Sequence, residues 1–361
     1  MKKFVLGVAV LAAIFTSCDD EQNQLNDSQS KIDMSDFYVY TNADTDEAAR
    51  MAQGKDKSCH TMVNLNRLLN ENPKLEKTMY DIEYHTRALI AQKPGNGNGG
   101  GNGGGNGGGG NGGGGSDPDP GFTDPVTIPV VVNIIEQYAG QVSSQQINSQ
   151  IAVLNQDFNA NNPNANGVPS EFAGDIANCN ISFTLHTVNR VVNTRSSWGT
   201  NDAMKYSSQG GINVTDPSTY LNIWVCEIGG GILGYAQFPG GPTATDGVVI
   251  GTNYFGENSA GGVYGHGRTA THEVGHWLNL RHIWGDGNCR QDDFVADTPS
   301  SNGPNYGCPS YPTVNCRTTD MTMNYMDYVY DDCMYMFTNG QNARMRALFE
   351  PGGARASLAG N

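Results

Sequence analysis

The chain has 361 residues, 36 Asp+Glu against 21 Lys+Arg, and a formal net charge of -15. No basic stripe or Lys/Arg-rich block occurs, which argues against a nucleic-acid partner. The length admits two domains, but a single run holds about a third of the 47 glycines, so an even division is excluded.

Lys2 and Lys3 precede an apolar run from Phe4 to Phe15 that is too short to span a bilayer and suits a targeting segment over residues 1–18. Its end, Thr16-Ser17-Cys18, resembles a bacterial lipobox, with Phe15 where Leu is usual. That resemblance implies acylation of Cys18 and a lipoprotein of the cell envelope, touching the membrane only through its lipid. An ordinary secretory signal is the alternative, and both imply export. Seven further cysteines follow: Cys59, then six from Cys179 to Cys333, in a compartment that permits disulfides. The six can pair completely in any of fifteen ways, and Cys59 is left over.

Residues 19 to about 45 are polar and acidic and read as a disordered tether. Met62, Leu65, Leu68 and Leu69 predict one short helix, and Leu75, Met79, Ile82 and Leu89 a second, separated at Asn72-Pro73. This stretch, ending near residue 94, is too small for a core of its own and needs a surface to pack on. Residues 95–115 are only Gly and Asn, a flexible linker with an r.m.s. span of roughly 25 Å, closed by the Asp-Pro repeat up to residue 120.

Residues 121–361 read as one α/β (α+β) domain. Ile128 to Ile135 is a β-branched run suited to a buried strand, and Ser143 or Ser144 caps a helix through Ile147, Ile151, Leu154 and Phe158. Ile181 to Val188, Tyr220 to Cys226, Ile232 to Phe238 and Asp246 to Gly251 read as further strands, and a second helix begins near Thr269. A mixed five-stranded sheet with a backing helix and an active-site helix is expected, then a loop-rich C-terminal part after residue 283 with a last helix from about Asn339 to Phe349.

The chemistry lies in His272-Glu273-Val274-Gly275-His276, followed by His282. On a helix the first two histidines stand one turn apart and can share one Zn²⁺, with Glu273 beside them to take a proton from water. His282 falls off that helical face, so the chain has to turn near Asn279, a residue that tolerates the left-handed conformation. Three histidines leave a fourth position open, as in a catalytic rather than a structural zinc site.

This stretch resembles the metzincin signature H-E-x-x-H-x-x-G-x-x-H, with Asn279 where the signature has Gly, and more narrowly that of the pappalysin family. Met323-Asn324-Tyr325-Met326-Asp327-Tyr328 resembles the family's Met-turn. The resemblance covers residues 126 to 350 and implies a metzincin fold and a zinc endopeptidase acting on proteins or peptides, with Met326 beneath the metal and Tyr328 steadying the oxyanion. It further implies a calcium held through Asp293, Val295 and Thr298, for which a solvated acidic loop is the alternative. It implies disulfides Cys289–Cys316 and Cys308–Cys333, leaving Cys179–Cys226 by elimination. Asp332 resembles the acid that lines the pocket after the cut and favours Arg there, with Asp331 equally available. The resemblance also makes Cys59, with His60 where Gly is usual, a pro-segment switch that fills the zinc's fourth position. A cut between about 90 and 125 would then activate the catalytic domain and free it from its anchor. A monomer is expected. The rival from another class is a zinc-stabilised surface binding module without catalysis; a thermolysin-like reading would need a Glu ligand in place of His282.

Overall fold

The computed structural model describes residues 32–43, 58–92 and 124–359. The targeting segment with Cys18 and the Gly/Asn stretch lie outside the described residues. Eleven consecutive residues, Val126–Glu136 (β2), form a long inner strand, and nearly all are buried because both faces of the sheet are covered. It pairs in parallel with Ile181–Val192 (β3) on one side and Leu221–Cys226 (β4) on the other. Val248–Gly251 (β6) continues in parallel, and Ile232–Ala236 (β5) closes the order antiparallel. These are the five mixed strands expected. A sixth is added by Ser58–Cys59 (β1), which lies parallel against β5, giving the order β1-β5-β6-β4-β2-β3.

Upstream of β2, helices Thr61–Glu71 (α1) and Leu75–Gln92 (α2) follow β1. Their apolar stripes (Met62, Leu65, Leu68, Leu69, Leu75 and Met79) close a small core on Phe238, just beyond β5. The surface this segment required is thus the edge of the sheet. Val39 is buried in the same core, and Tyr38 donates to the backbone carbonyl of Asp292 at 2.9 Å, so residues 37–39 are packed rather than a loose tether.

Ser144–Phe158 (α3), capped by Ser143 accepting from Gln146 N, and Arg268–Trp277 (α4) cover one face of the sheet. Their Ile147, Leu154, Phe158, Val274 and Trp277 meet β2 residues such as Val130 and Val132. The other face carries a second cluster around Trp198, Met204, Trp224 and Tyr235. After α4 the chain is loop-rich until Asn339–Ala347 (α5), which starts in a capping box between Thr338 and Gln341. No helix among the described residues is long and apolar enough to cross a membrane.

The disulfides Cys289–Cys316 and Cys308–Cys333 staple this loop-rich part as expected. The third expected pair does not form: Cys179 and Cys226 are separate, buried thiols. Register explains it. Ile181, two residues after Cys179, pairs with Val126, whereas Val225 pairs with Ile134. Eight residues of β2 separate those levels, about 26 Å at 3.3 Å per residue, far beyond the reach of a disulfide. Elimination failed because it assumed that every exported cysteine pairs.

Candidate active site

Helix α4 positions His272 and His276 on one face. Its last turn ends where Leu280 N donates to Gly275 O and Asn279 adopts φ 71°, the left-handed turn required by the sequence. That reversal returns His282 to the same point. The Nε2 of His276 lies 3.1 Å from the Nε2 of both His272 and His282. Each Nδ1 faces an acceptor that cannot donate: Tyr325 O at 2.7 Å, Leu280 O at 2.7 Å, and an Asp286 carboxylate oxygen. Nδ1 therefore carries the proton, and the three Nε2 lone pairs converge. Burial, reinforced by neighbouring histidines, pushes His272 down to about 3 and His276 well below its ordinary value. Both of these imidazoles are neutral, as metal ligands must be.

The donor set fits a metal. The Sγ of Cys59 joins the three imidazoles, and the four ligand atoms lie within 4.8 Å of one another. Tetrahedral bonds of about 2.05 Å would set nitrogens about 3.3 Å apart, close to the spacings found. Burial and then the Glu273 carboxylate push the Cys59 thiol well up, so a thiolate there requires a cation beside it.

Glu273 is fully buried, and burial raises its carboxyl to about 8. Its Oε1 has no hydrogen-bond partner; its Oε2 accepts from Thr61 Oγ1 at 2.7 Å and faces Cys59 Sγ at 3.5 Å. Thr61 Oγ1 also accepts from Ala236 N of β5 at 2.7 Å. The sequence offered no signal for this residue: a threonine two positions past a cysteine has no signature. Gly234 of β5 lies against Glu273, since a Cβ there would come within 3.1 Å of Glu273 Cγ and 2.8 Å of Val249 O. Only glycine lets the edge strand approach so closely.

Met326 is fully buried beneath α4, where a Cβ on Gly275 would meet its sulfur at 2.5 Å. Tyr328 stands beside the histidines, its ring 4.9 Å from that of His282 and its hydroxyl donating to Cys59 O at 3.3 Å. A cavity next to it is lined by Leu233, Thr269, His272, Tyr328, Met334 and Asp331. Asp331 is buried there, its Oδ2 accepting from His266 N at 2.9 Å. Asp332, the first choice from the resemblance, points elsewhere: its side chain is 70% exposed and lies 3.5 Å from His266 Nε2. Further along, Thr298 Oγ1 lies 2.9 Å from both Asp293 carboxylate oxygens and from Val295 O, so the three expected calcium donors converge.

Residues 206–350 match the model of the peptidase family described as pregnancy-associated plasma protein-A. Extracellular metalloprotease 1 of Coccidioides posadasii is 33% identical over 61% of this chain and 74% of its own length. The extracellular metalloprotease of Pyricularia oryzae is 35% identical over 62% of this chain and 73% of its own. Among solved structures, mature mirolysin of Tannerella forsythia in complex with a cleaved peptide aligns with TM-score 0.63 and 44% identity over 66% of this chain and 96% of its own. A promirolysin mutant from the same organism aligns with TM-score 0.70 and 37% identity, over 84% of this chain and 97% of its own. The chain therefore belongs to the pappalysin family of metzincin-type metalloendopeptidases.

Proposed function

We propose that the chain is the latent precursor of an exported zinc endopeptidase, held inactive by Cys59 and activated when the segment up to about residue 92 is cut away. The observation that carries this reading is the convergence of Cys59 Sγ with the Nε2 atoms of His272, His276 and His282 within 4.8 Å. A zinc ion bound there supplies Lewis acidity to the attacking water and the scissile carbonyl. Glu273, raised to about 8 by burial, accepts the water's proton and returns it to the leaving amine. Tyr328 turns its hydroxyl from Cys59 O towards the oxyanion. In the precursor Thr61 occupies both Glu273 and Ala236 N, so the base and the edge strand are blocked together with the metal.

Export and the lipid at Cys18 rest on the sequence, and the relatives named extracellular support export. A basic residue after the cut would meet Asp331 in the cavity beside Tyr328. Asp293, Val295 and Thr298 would hold calcium through a carboxylate, a carbonyl and a hydroxyl, with further ligands from water. The experiment is casein cleavage by full-length wild-type and Cys59→Ala precursors, each with and without a zinc chelator. The wild type should be silent until cut, whereas the variant should show chelator-sensitive proteolysis uncut. Equal silence of both uncut proteins would count against the switch.

A further inference from the structure

The carboxylate of Asp202 lies on the face of the sheet opposite Glu273 and takes no part in the chemistry above. It is built into the catalytic unit. Its Oδ1 is held by Lys205 Nζ at 2.9 Å and by the Tyr235 hydroxyl at 3.0 Å. Lys205 is itself fully buried, with its ammonium donating to Thr245 O at 2.7 Å. Asp202 has φ 62°, a left-handed conformation that aims its side chain. Burial alone would raise its carboxyl, but Lys205 and Arg67 overcome this and hold it below the usual carboxylate range.

The other oxygen, Oδ2, accepts from the guanidinium of Arg67 in α1. Asp202 is 2% exposed with Arg67 in place. The occupant thus comes from the N-terminal segment and the receptor from the catalytic unit.

The same segment fills the groups through which an extended peptide would add to β5. His60 N donates to Gly234 O at 3.0 Å, Thr61 Oγ1 accepts from Ala236 N, and Asn64 Nδ2 donates to Ala236 O at 3.0 Å. Gly234 faces Glu273, so the next residue, Tyr235, faces the opposite side of the sheet, where Asp202 lies. A peptide strand docked about 4.8 Å from β5 would send one side chain in two to that side, and the residue beside Tyr235 would point at Oδ2. A guanidinium suits the site because its planar fork can meet the outward oxygen while Lys205 and Tyr235 fix the inner one.

We infer that Asp202, with Tyr235 and Lys205 holding it, forms a second subsite for a basic substrate side chain, distinct from the cavity at Asp331, and that Arg67 occupies it in the precursor. The inference rests on release of the N-terminal segment, as proposed above. In full-length protein nicked by limited proteolysis within residues 95–120, casein turnover reports that release separately. A peptide series then carries Arg, citrulline or Ala stepped through the four positions on each side of the cut. Arg over citrulline should raise kcat/KM tenfold or more at one position besides that directly after the cut, chiefly through KM. In Asp202→Asn the ratio at that second position should fall towards one, while the ratio directly after the cut persists. A single arginine-sensitive position in the wild type would overturn the inference, and so would an unchanged ratio in the variant. Should the variant fail to fold, the wild-type citrulline comparison decides alone.

Discussion

Glu273 illustrates how one side chain is tuned by its surroundings. It is buried without a cationic partner, its Oε1 has no hydrogen bond, and burial lifts its carboxyl to about 8. A carboxyl in such a place adds nothing to a purely structural zinc site, because it supplies no ligand and its burial with one oxygen unbonded costs free energy. It is useful to a base that must accept a proton near neutral pH and then give it back. Glu273→Gln should therefore keep the bound zinc, measured by metal analysis, and lower peptide hydrolysis by roughly 10²–10⁴. Retained turnover would remove Glu273 from its role.

Among the elements, α2 carries a buried electrostatic tie between the N-terminal segment and the rest of the fold. Arg344 of α5 donates to both Glu83 oxygens, at 3.0 and 2.7 Å, and Arg87 adds a third bond at 2.7 Å. Both members of the Glu83–Arg344 pair are almost fully buried. Burial opposes ionisation of Glu83, yet the two arginines win and hold its carboxyl at about 2. A carboxyl whose folded value lies below its unfolded value of about 4.5 stabilises above the unfolded value and loses that contribution as pH falls through the folded one. The docked state should thus lose on the order of 3 kcal/mol between about pH 5 and pH 2. Glu83→Gln should be less stable at neutral pH, and its thermal unfolding should converge on that of the wild type as pH drops through this window. Parallel pH curves for the two proteins would refute the assignment.

On the scale of the whole molecule, Phe294 joins parts distant in sequence. It sits between the proposed calcium donors Asp293 and Val295 with φ 66°, and its ring is approached by Arg87 at 4.9 Å, Arg281 at 4.8 Å and Arg344 at 5.7 Å. Phe37 stacks on it at 6.1 Å and Tyr38 meets it edge-on at 5.4 Å. A calcium ion that orders this loop would therefore also order the seat of the N-terminal segment. Adding a calcium-selective chelator to the zinc-loaded precursor should lower Tm by roughly 5–10 °C, as expected for loss of about 2.7 kcal/mol of ligand stabilisation. It should also speed proteolysis around residues 36–43. An unchanged Tm would identify the loop as merely a solvated acidic one.

The sequence revealed most where the signal was local. His272, His276 and the turn at Asn279 are read within eleven residues, and the strands from Ile128 to Gly251 announced themselves by β-branched runs. Contacts between distant segments were hidden. Three apolar residues, Phe37 to Val39, look like noise in a polar stretch until Phe294 and α1 are known. Thr61 acts on a base 212 residues away, and Arg67 on an acid 135 residues away. The failed Cys179–Cys226 pair has the same origin, because strand register is a long-range property.

The two-residue strand Ser58–Cys59 has a consequence beyond the inhibition proposed for it. A β5 edge without it would present a row of open backbone donors and acceptors, the kind of surface on which foreign strands assemble. Here that row is shielded by the molecule's own chain, so the sheet offers no such template for aggregation. Once uncovered, the same row can accept a main chain only in extended form. Loops, unfolded tails and denatured proteins should then be cut in preference to well-folded domains, a selectivity imposed by the backbone before any side chain is read.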